Sequence, residues 1–228
     1  MRGVPVFCTP SMASFLRSNQ PWRQLTDRGN ITIQELDIDA TDNSKDAVPV
    51  QLTRSLSVLP VPVPHRAELS DTIAYVVSVA SRAVDASGTA VSHTSKLDLG
   101  PPAEVSSGEN DTMKLLYCPD TDGWSDWKRN ISSWCNEVDV ALLDATFHGK
   151  GELKGRDMSE VSHPIATETM AQLAGCKAEV VLIHLNHTNP LLTADSPERA
   201  QAVAAGYKVG SFGMEWAPTL ETPADSRA

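Results

Sequence analysis

The run Val180-Val181-Leu182-Ile183 stops abruptly at His184-Leu185-Asn186-His187-Thr188-Asn189-Pro190. An unbroken β-branched and leucine-rich stretch, preceded by the polar Lys177 and Glu179, fits a short strand covered on both faces, as in a layered α/β sheet. Ligands in such sheets collect beyond the carboxyl ends of the strands, which is where His184 and His187 fall. Imidazole is the commonest protein ligand for zinc and iron, and its second nitrogen is free to take an orienting partner. A lone histidine at such a place reads more simply as a capping or core residue satisfied by backbone carbonyls; the pair brings the two readings level.

The same pattern recurs along the chain. An extended segment at 4–7 leads to Thr9-Pro10, an N-cap followed by proline at the first helical position, with Met12, Phe15 and Leu16 as the apolar stripe of the helix. Alternating residues at 31–36 predict a half-buried strand. Residues 56–63 predict another, in which Pro60, Pro62 and Pro64 mark an edge or a strand ending at His65. A strand over 73–79 follows, then a strand over 113–118 that runs into Asp120 and Asp122, and one over 138–143 that runs into Asp144 and His148. Between the second and third of these last strands, a helix from Ser125 carries Trp127, Ile131 and Trp134 as core residues. His163-Pro164 opens a helix over 165–174 that Gly175 stops, and Ser196-Pro197 caps one through Ala204. The composition of residues 81–111, rich in Ser, Gly, Pro and acids, predicts a surface insertion or disordered loop with His93 solvated, and that of 221–228 predicts a polar, frayed tail.

Composition narrows the classes of function. The net charge of −10 supplies no basic face for phosphates, so nucleic acid is excluded as a partner. No stretch has the apolar length of a membrane span, and the expectation is a soluble, cytoplasmic protein. The four cysteines, Cys8, Cys118, Cys135 and Cys176, form no Cys-x-x-Cys pair and read as reduced, buried small hydrophobes. What remains is a chain whose strand and loop ends offer His65, Asp120 or Asp122, Asp144 with His148, and His184 with His187. Packing does not require that recurrence, whereas a metal site built on rigid strand ends does.

These segments carry a resemblance. Cys8-Thr9-Pro10-Ser11-Met12, Val63-Pro64-His65-Arg66 with Ser70-Asp71-Thr72, Pro119-Asp120 with Trp124, Gly155-Arg156-Asp157-Met158-Ser159-Glu160 with His163-Pro164, and His184 through Leu192 together resemble the pyrroloquinoline quinone (PQQ) biosynthesis protein B family. The resemblance runs from the start of the chain to about Trp216. It implies an α/β fold, the metallo-β-lactamase-like αββα sandwich shared with ribonuclease Z, over a single domain at 1–220. The Asp-His metal loop and the cysteine cluster of that family have no counterpart here, so the expected domain is N-terminally truncated, with weakened metal affinity and an unpaired sheet edge through which a homodimer could form.

Carried over residue by residue, the resemblance makes His65, Asp120 and His184 metal ligands, with Asp120 able to bridge two ions, and His187 an alternative ligand or an orienting partner. His163 resembles the histidine that ribonuclease Z relatives set over the scissile phosphate, and with Asp144 it forms the catalytic pair. For Asp144 and Asp157, loop and helix capping is the competing role. The implied cofactor is Fe(II) or Zn(II), one or two ions. The implied activity is iron-dependent hydroxylation of the peptide-derived, tyrosine-based precursor of PQQ. Alternatives are a noncatalytic carrier in transport of PQQ or its precursor and a metal-dependent phosphodiesterase.

Overall fold

The computed structural model describes residues 3–38, 48–66, 70–80, 112–153, 155 and 162–217. The insertion expected at 81–111, the tail at 221–228 and Asp157 lie outside them. Thr9 caps α1 (Pro10–Ser18), its hydroxyl accepting the Met12 amide, and the short α2 (Arg23–Asp27) follows. On either side of this helical pair, β1 (Val4–Cys8) and β2 (Ile31–Glu35) pair in parallel as a two-stranded sheet.

The main sheet has seven strands in sequence order: β3 (Val50–Gln51), β4 (Leu56–Pro62), β5 (Ile73–Ala80), β6 (Thr112–Cys118), β7 (Val140–Asp144), β8 (Glu179–Ile183) and β9 (Lys208–Val209). β5 is antiparallel to both of its neighbours, and β6 to β9 are mutually parallel. It follows that β4, β6, β7, β8 and β9 all point the same way. Their carboxyl ends share one edge of the sheet, and every candidate ligand of the sequence lies on a segment that leaves that edge. The prolines of β4 are tolerated because β3 pairs only with Ser57 and Val58. Beyond Val58 no described strand pairs with that side of β4, so among the described residues a missing N–H leaves no strand neighbour unsatisfied.

Helices cover one face of the sheet. Leu116 and Cys118 of β6, Ala141 and Leu143 of β7, and Val180 and Leu182 of β8 are buried against a layer that includes α3 (Ile131–Glu137), α4 (Ala166–Gln172) and α5 (Pro197–Ala204). The opposite face is more open, with Tyr75 and Tyr117 each 40% exposed. The helix expected from Ser125 is instead a single 3-10 turn, Trp124–Asp126, followed by α3, whose start is set by Asn130 accepting the Ser132 amide. Trp127, Ile131 and Trp134 are core residues all the same. The indoles tie layers together: Trp127 Nε1 donates to Pro62 O at 3.1 Å and Trp124 Nε1 to Thr169 Oγ1 at 2.8 Å. The first of these bonds holds the end of β4, three residues before His65.

The helix after His163 begins at Ala166, one residue later than the pattern predicts. Ile165 offers no side-chain cap, and the backbone explains the start. The Ala166 and Thr167 amides donate to Phe147 O and His148 O, so the loop leaving β7 caps α4 and draws His163 over the sheet edge. Among the described residues, no helix is long and apolar enough to cross a membrane.

Candidate metal centre

Register brings the ligands together. Asp144 is the last residue of β7 and pairs with Ile183, so it lies beside His184, the first residue beyond β8. Cys118 at the end of β6 pairs with Leu143, which sets Asp120 two residues past the edge on the other side of Asp144. The β6 loop is stitched to the loop after β4, with Thr121 Oγ1 and the Asp122 amide both donating to Pro64 O at 3.0 and 2.8 Å. That places His65 alongside Asp120 and Asp122. At His184 the backbone takes φ of 57°. This left-handed conformation costs an L-residue roughly 1–2 kcal/mol, and its presence at a non-glycine in a site is the mark of a turn held for position.

Four side chains converge. Asp120, Asp144, His163 and His184 each offer a ligand atom, and these atoms all lie within 4.8 Å of one another. Asp144 is fully buried and heavily bonded: Oδ2 accepts from Thr121 N at 3.2 Å and His163 Nδ1 at 2.8 Å, while Oδ1 accepts from Thr146 N at 2.9 Å and Thr146 Oγ1 at 2.7 Å. Asp120 is the opposite case. Its Oδ1 is buried without a hydrogen-bond partner among the described residues, 3.4 Å from His65 Nε2 and 3.7 Å from His163 Nδ1. A buried carboxylate oxygen is costly unless something positive meets it. An orphaned acceptor beside two imidazoles and a second carboxylate fits a hard or borderline divalent cation bound by mixed nitrogen and oxygen ligands.

The electrostatics agree. The hydrogen bond to Asp144 raises the His163 pKa, partly opposed by burial, and the charges of Asp144, Asp120 and Asp122 raise it further. Cys118, buried below the site, has its thiol pushed up by burial and by Asp144 and Asp120, so it stays neutral and is no thiolate ligand.

Of the residues singled out from sequence, the structure gathers Asp120, Asp144, His163 and His184 into one group. His65 stands at its rim, its Nδ1 held by Asp122 Oδ1 at 2.9 Å and its ring centroid 6.0 Å from that of His163. His187 is exposed and outside the group, and so is His148, which is half-buried with its backbone amide donating to Glu152 Oε2. Asp144 does cap its own loop, through Thr146 N, and holds His163 at the same time. Two further residues escape the sequence reading. Thr146 lies between both imidazoles, with Oγ1 3.0 Å from His184 Nδ1 and 3.3 Å from His163 Nδ1. Asn189, 2% exposed, staples the two loops, its Nδ2 donating to Ala145 O and Thr146 O. The spacing Asp144-x-Thr146 is a signal for the first, since aspartate often caps an amide two residues on. Nothing local marks the second.

No protein-family model matches the chain. Curated proteins named coenzyme PQQ synthesis protein B do. The protein of Azotobacter vinelandii is 43% identical over 84 residues, 36% of this chain and 28% of that one. Those of Pseudomonas putida strain GB-1 and Klebsiella pneumoniae are 34% and 33% identical over 110 and 109 residues, 44% of this chain in each case and 35% and 34% of theirs. The matches thus span about a third of these relatives' length. Among solved structures, zinc-bound PqqB from Methylobacterium extorquens superposes with a TM-score of 0.59 at 18% identity, over 91% of this chain and 60% of that one. The chain is therefore similar in sequence to part of coenzyme PQQ synthesis protein B, and it has the metallo-β-lactamase-type α/β fold of PqqB.

Proposed function

We propose that this chain serves PQQ biosynthesis as a metal-binding, PqqB-like protein, and that its reaction is iron-dependent hydroxylation of the tyrosine-derived PQQ precursor. The observation that carries metal binding is the orphaned Asp120 Oδ1, buried against His65 and His163 within the group that Asp144 and His184 complete. The relatives named for PQQ synthesis suggest the pathway, and the solved PqqB that shares this fold is itself bound to zinc.

The ion would be held by Asp120, His163 and His184, with Asp144, whose oxygens already meet four donors, orienting His163 beside it. Fe(II) bound there would supply activation of oxygen beside a phenol ring. The protein's own part is positional. Asp144 keeps the proton of His163 on Nδ1 and so fixes the ring, while Asp120 leaves an oxygen open toward the group. His65, restrained by Asp122, presents Nε2 to Asp120 as the nearest further donor.

The test is metal content after anaerobic reconstitution with Fe(II) and with Zn(II), for the wild type and His184→Ala. Near-stoichiometric metal in the wild type that falls below one fifth in the variant supports the site. Equal content in both, or none in either, rejects it. Oxygen consumption on a dihydroxyphenylalanine-type peptide then decides the hydroxylase reading, which stoichiometric iron without oxygen uptake would overturn.

A further inference from the structure

The hydroxyl of Thr146 has one proton to give and three neighbours. Asp144 Oδ1 at 2.7 Å is a carboxylate oxygen and can only accept, so the hydroxyl proton goes there. The oxygen is then left with lone pairs toward His184 Nδ1 at 3.0 Å and His163 Nδ1 at 3.3 Å. His163 Nδ1 has a better acceptor in Asp144 Oδ2, at 2.8 Å. His184 has none so near, because among the described residues its closest carboxylate oxygen, Asp144 Oδ1, is 3.7 Å away. We infer that Thr146 is a positioning residue that selects the tautomer of His184: its hydroxyl accepts the Nδ1–H and leaves Nε2 as the nitrogen offered to a metal.

The threonine is suited to this task. It is 8% exposed, and its amide donates to Asp144 Oδ1. Its carbonyl accepts from Asn186 N at 3.0 Å and Asn189 Nδ2 at 3.1 Å, so the residue is clamped by its own strand end and by the loop that carries His184. A β-branched side chain is stiff about χ1, so the oxygen stays where this clamp sets it. An imidazole whose second nitrogen is held this way is more basic and better oriented as a ligand. His184 is 44% exposed along its side chain, and without Thr146 the described residues would hold its ring much less firmly.

This inference deepens the metal-binding reading and rests on it for its consequence, but not for its first observable. Long-range nitrogen–proton NMR on histidine-labelled, metal-free protein, above the titration of the imidazoles, reports the tautomer of each ring. His184 is expected as the Nδ1–H form in the wild type and in Thr146→Ser, and as a mixture or the Nε2–H form in Thr146→Val. Competition with a chromophoric chelator then gives Zn(II) and Co(II) affinities, where Thr146→Val should bind on the order of 10- to 100-fold more weakly and Thr146→Ser close to wild type. A wild-type His184 protonated on Nε2, or a valine variant with unchanged tautomer and affinity, overturns the inference, as would a valine variant that binds more tightly. If valine disturbs the loop, Thr146→Ala replaces it under the same criteria. A wild type that binds neither ion removes the metal-binding reading while the tautomer still decides the role of Thr146.

Discussion

Asn189→Ala tests whether the two ligand-bearing loops are held by one buried amide. In the structure Nδ2 of Asn189 donates to Ala145 O at 2.8 Å and Thr146 O at 3.1 Å, and Oδ1 accepts from Leu191 N at 2.9 Å. Thr146 O keeps a second donor in Asn186 N, so the truncation deprives Ala145 O and Leu191 N most severely. Three hydrogen bonds at a net of roughly 1 kcal/mol each give about 3 kcal/mol, and two backbone groups left dry raise the loss toward about 5 kcal/mol. Against a total stability of about 5–15 kcal/mol that is a large fraction. Urea unfolding should show a lower midpoint with the slope unchanged. Asn189→Asp separates hydrogen bonding from volume. It keeps an acceptor for Leu191 N but turns a carboxylate toward two carbonyls, so it should be less stable than the alanine variant at neutral pH and regain stability as the carboxyl protonates. A loss below about 1 kcal/mol for alanine, or aspartate as stable as asparagine, would refute the staple, since buried hydrogen bonds of this kind cannot be removed so cheaply.

Further outcomes follow from the titrating groups. The folded-state pKa of His163 lies above the ordinary 6.5 because Asp144 accepts its Nδ1–H. The stability this contributes to the metal-free protein is full below about 6.5 and is lost as pH rises through the folded value, so unfolding midpoints should fall across that window, and His163→Gln should flatten the fall. Metal should reverse the trend, because ligation needs the neutral ring. The Cys135 thiol is pushed up to about 12 by burial, and Cys118 is raised further by burial and by Asp144 and Asp120. Alkylation of the native protein, counted by mass spectrometry, should therefore modify Cys176 before either of these, with Cys118 and Cys135 reacting only on unfolding. Labelling of Cys118 at the native rate of Cys176 would contradict its place below the site.

The sheet edge was legible because strand runs are local. Each apolar stretch, from 56–63 to Val180–Ile183, ends where its β-period stops, and the residues just beyond are read directly from the sequence. That the ends share one edge depends on register and direction, which only pairing sets: β5 runs against its neighbours and so returns β4 to the direction of β6. His187 shows the limit. A spacing of three puts residues on one face of a helix, but here the backbone turns at His184 through a positive φ and enters the 3-10 turn Pro190–Leu192, which leaves His187 exposed. The tryptophan segment is similar, since its residues are core although the helix starts only at Ile131. Asn189, and the link from Thr146 to His184, were silent for another reason. Their partners lie 43 and 38 residues away, beyond any local pattern.

The two carboxylates of the group divide the work, and burial alone does not explain how. Asp144 is sealed at the end of β7 and meets four donors, so its charge is already balanced and its oxygens are committed to holding His163 and the Thr146 turn. Asp120 sits on the next loop with an oxygen that is buried and has no hydrogen-bond partner among the described residues. An ion arriving here gains most from Asp120 and disturbs least by leaving the Asp144 bonds intact, because breaking several satisfied hydrogen bonds to a buried carboxylate costs more than meeting an oxygen that has no hydrogen bond to lose. Asp120→Asn should on this reasoning abolish most metal retention while leaving the unfolding midpoint of the metal-free protein nearly unchanged or raised at a pH where His163 is neutral, since a neutral amide suits a site without a hydrogen-bond partner better than a charge; where His163 is protonated, the Asp120 charge favours it and its loss should lower the midpoint. Asp144→Asn should do the reverse in order: it unfolds the edge first, visible as a lowered midpoint without any metal present, and loses the ion as a consequence. If the metal-free Asp120→Asn protein were the less stable of the two, the orphaned oxygen would be meeting a partner, and the division of roles between the two aspartates would be wrong.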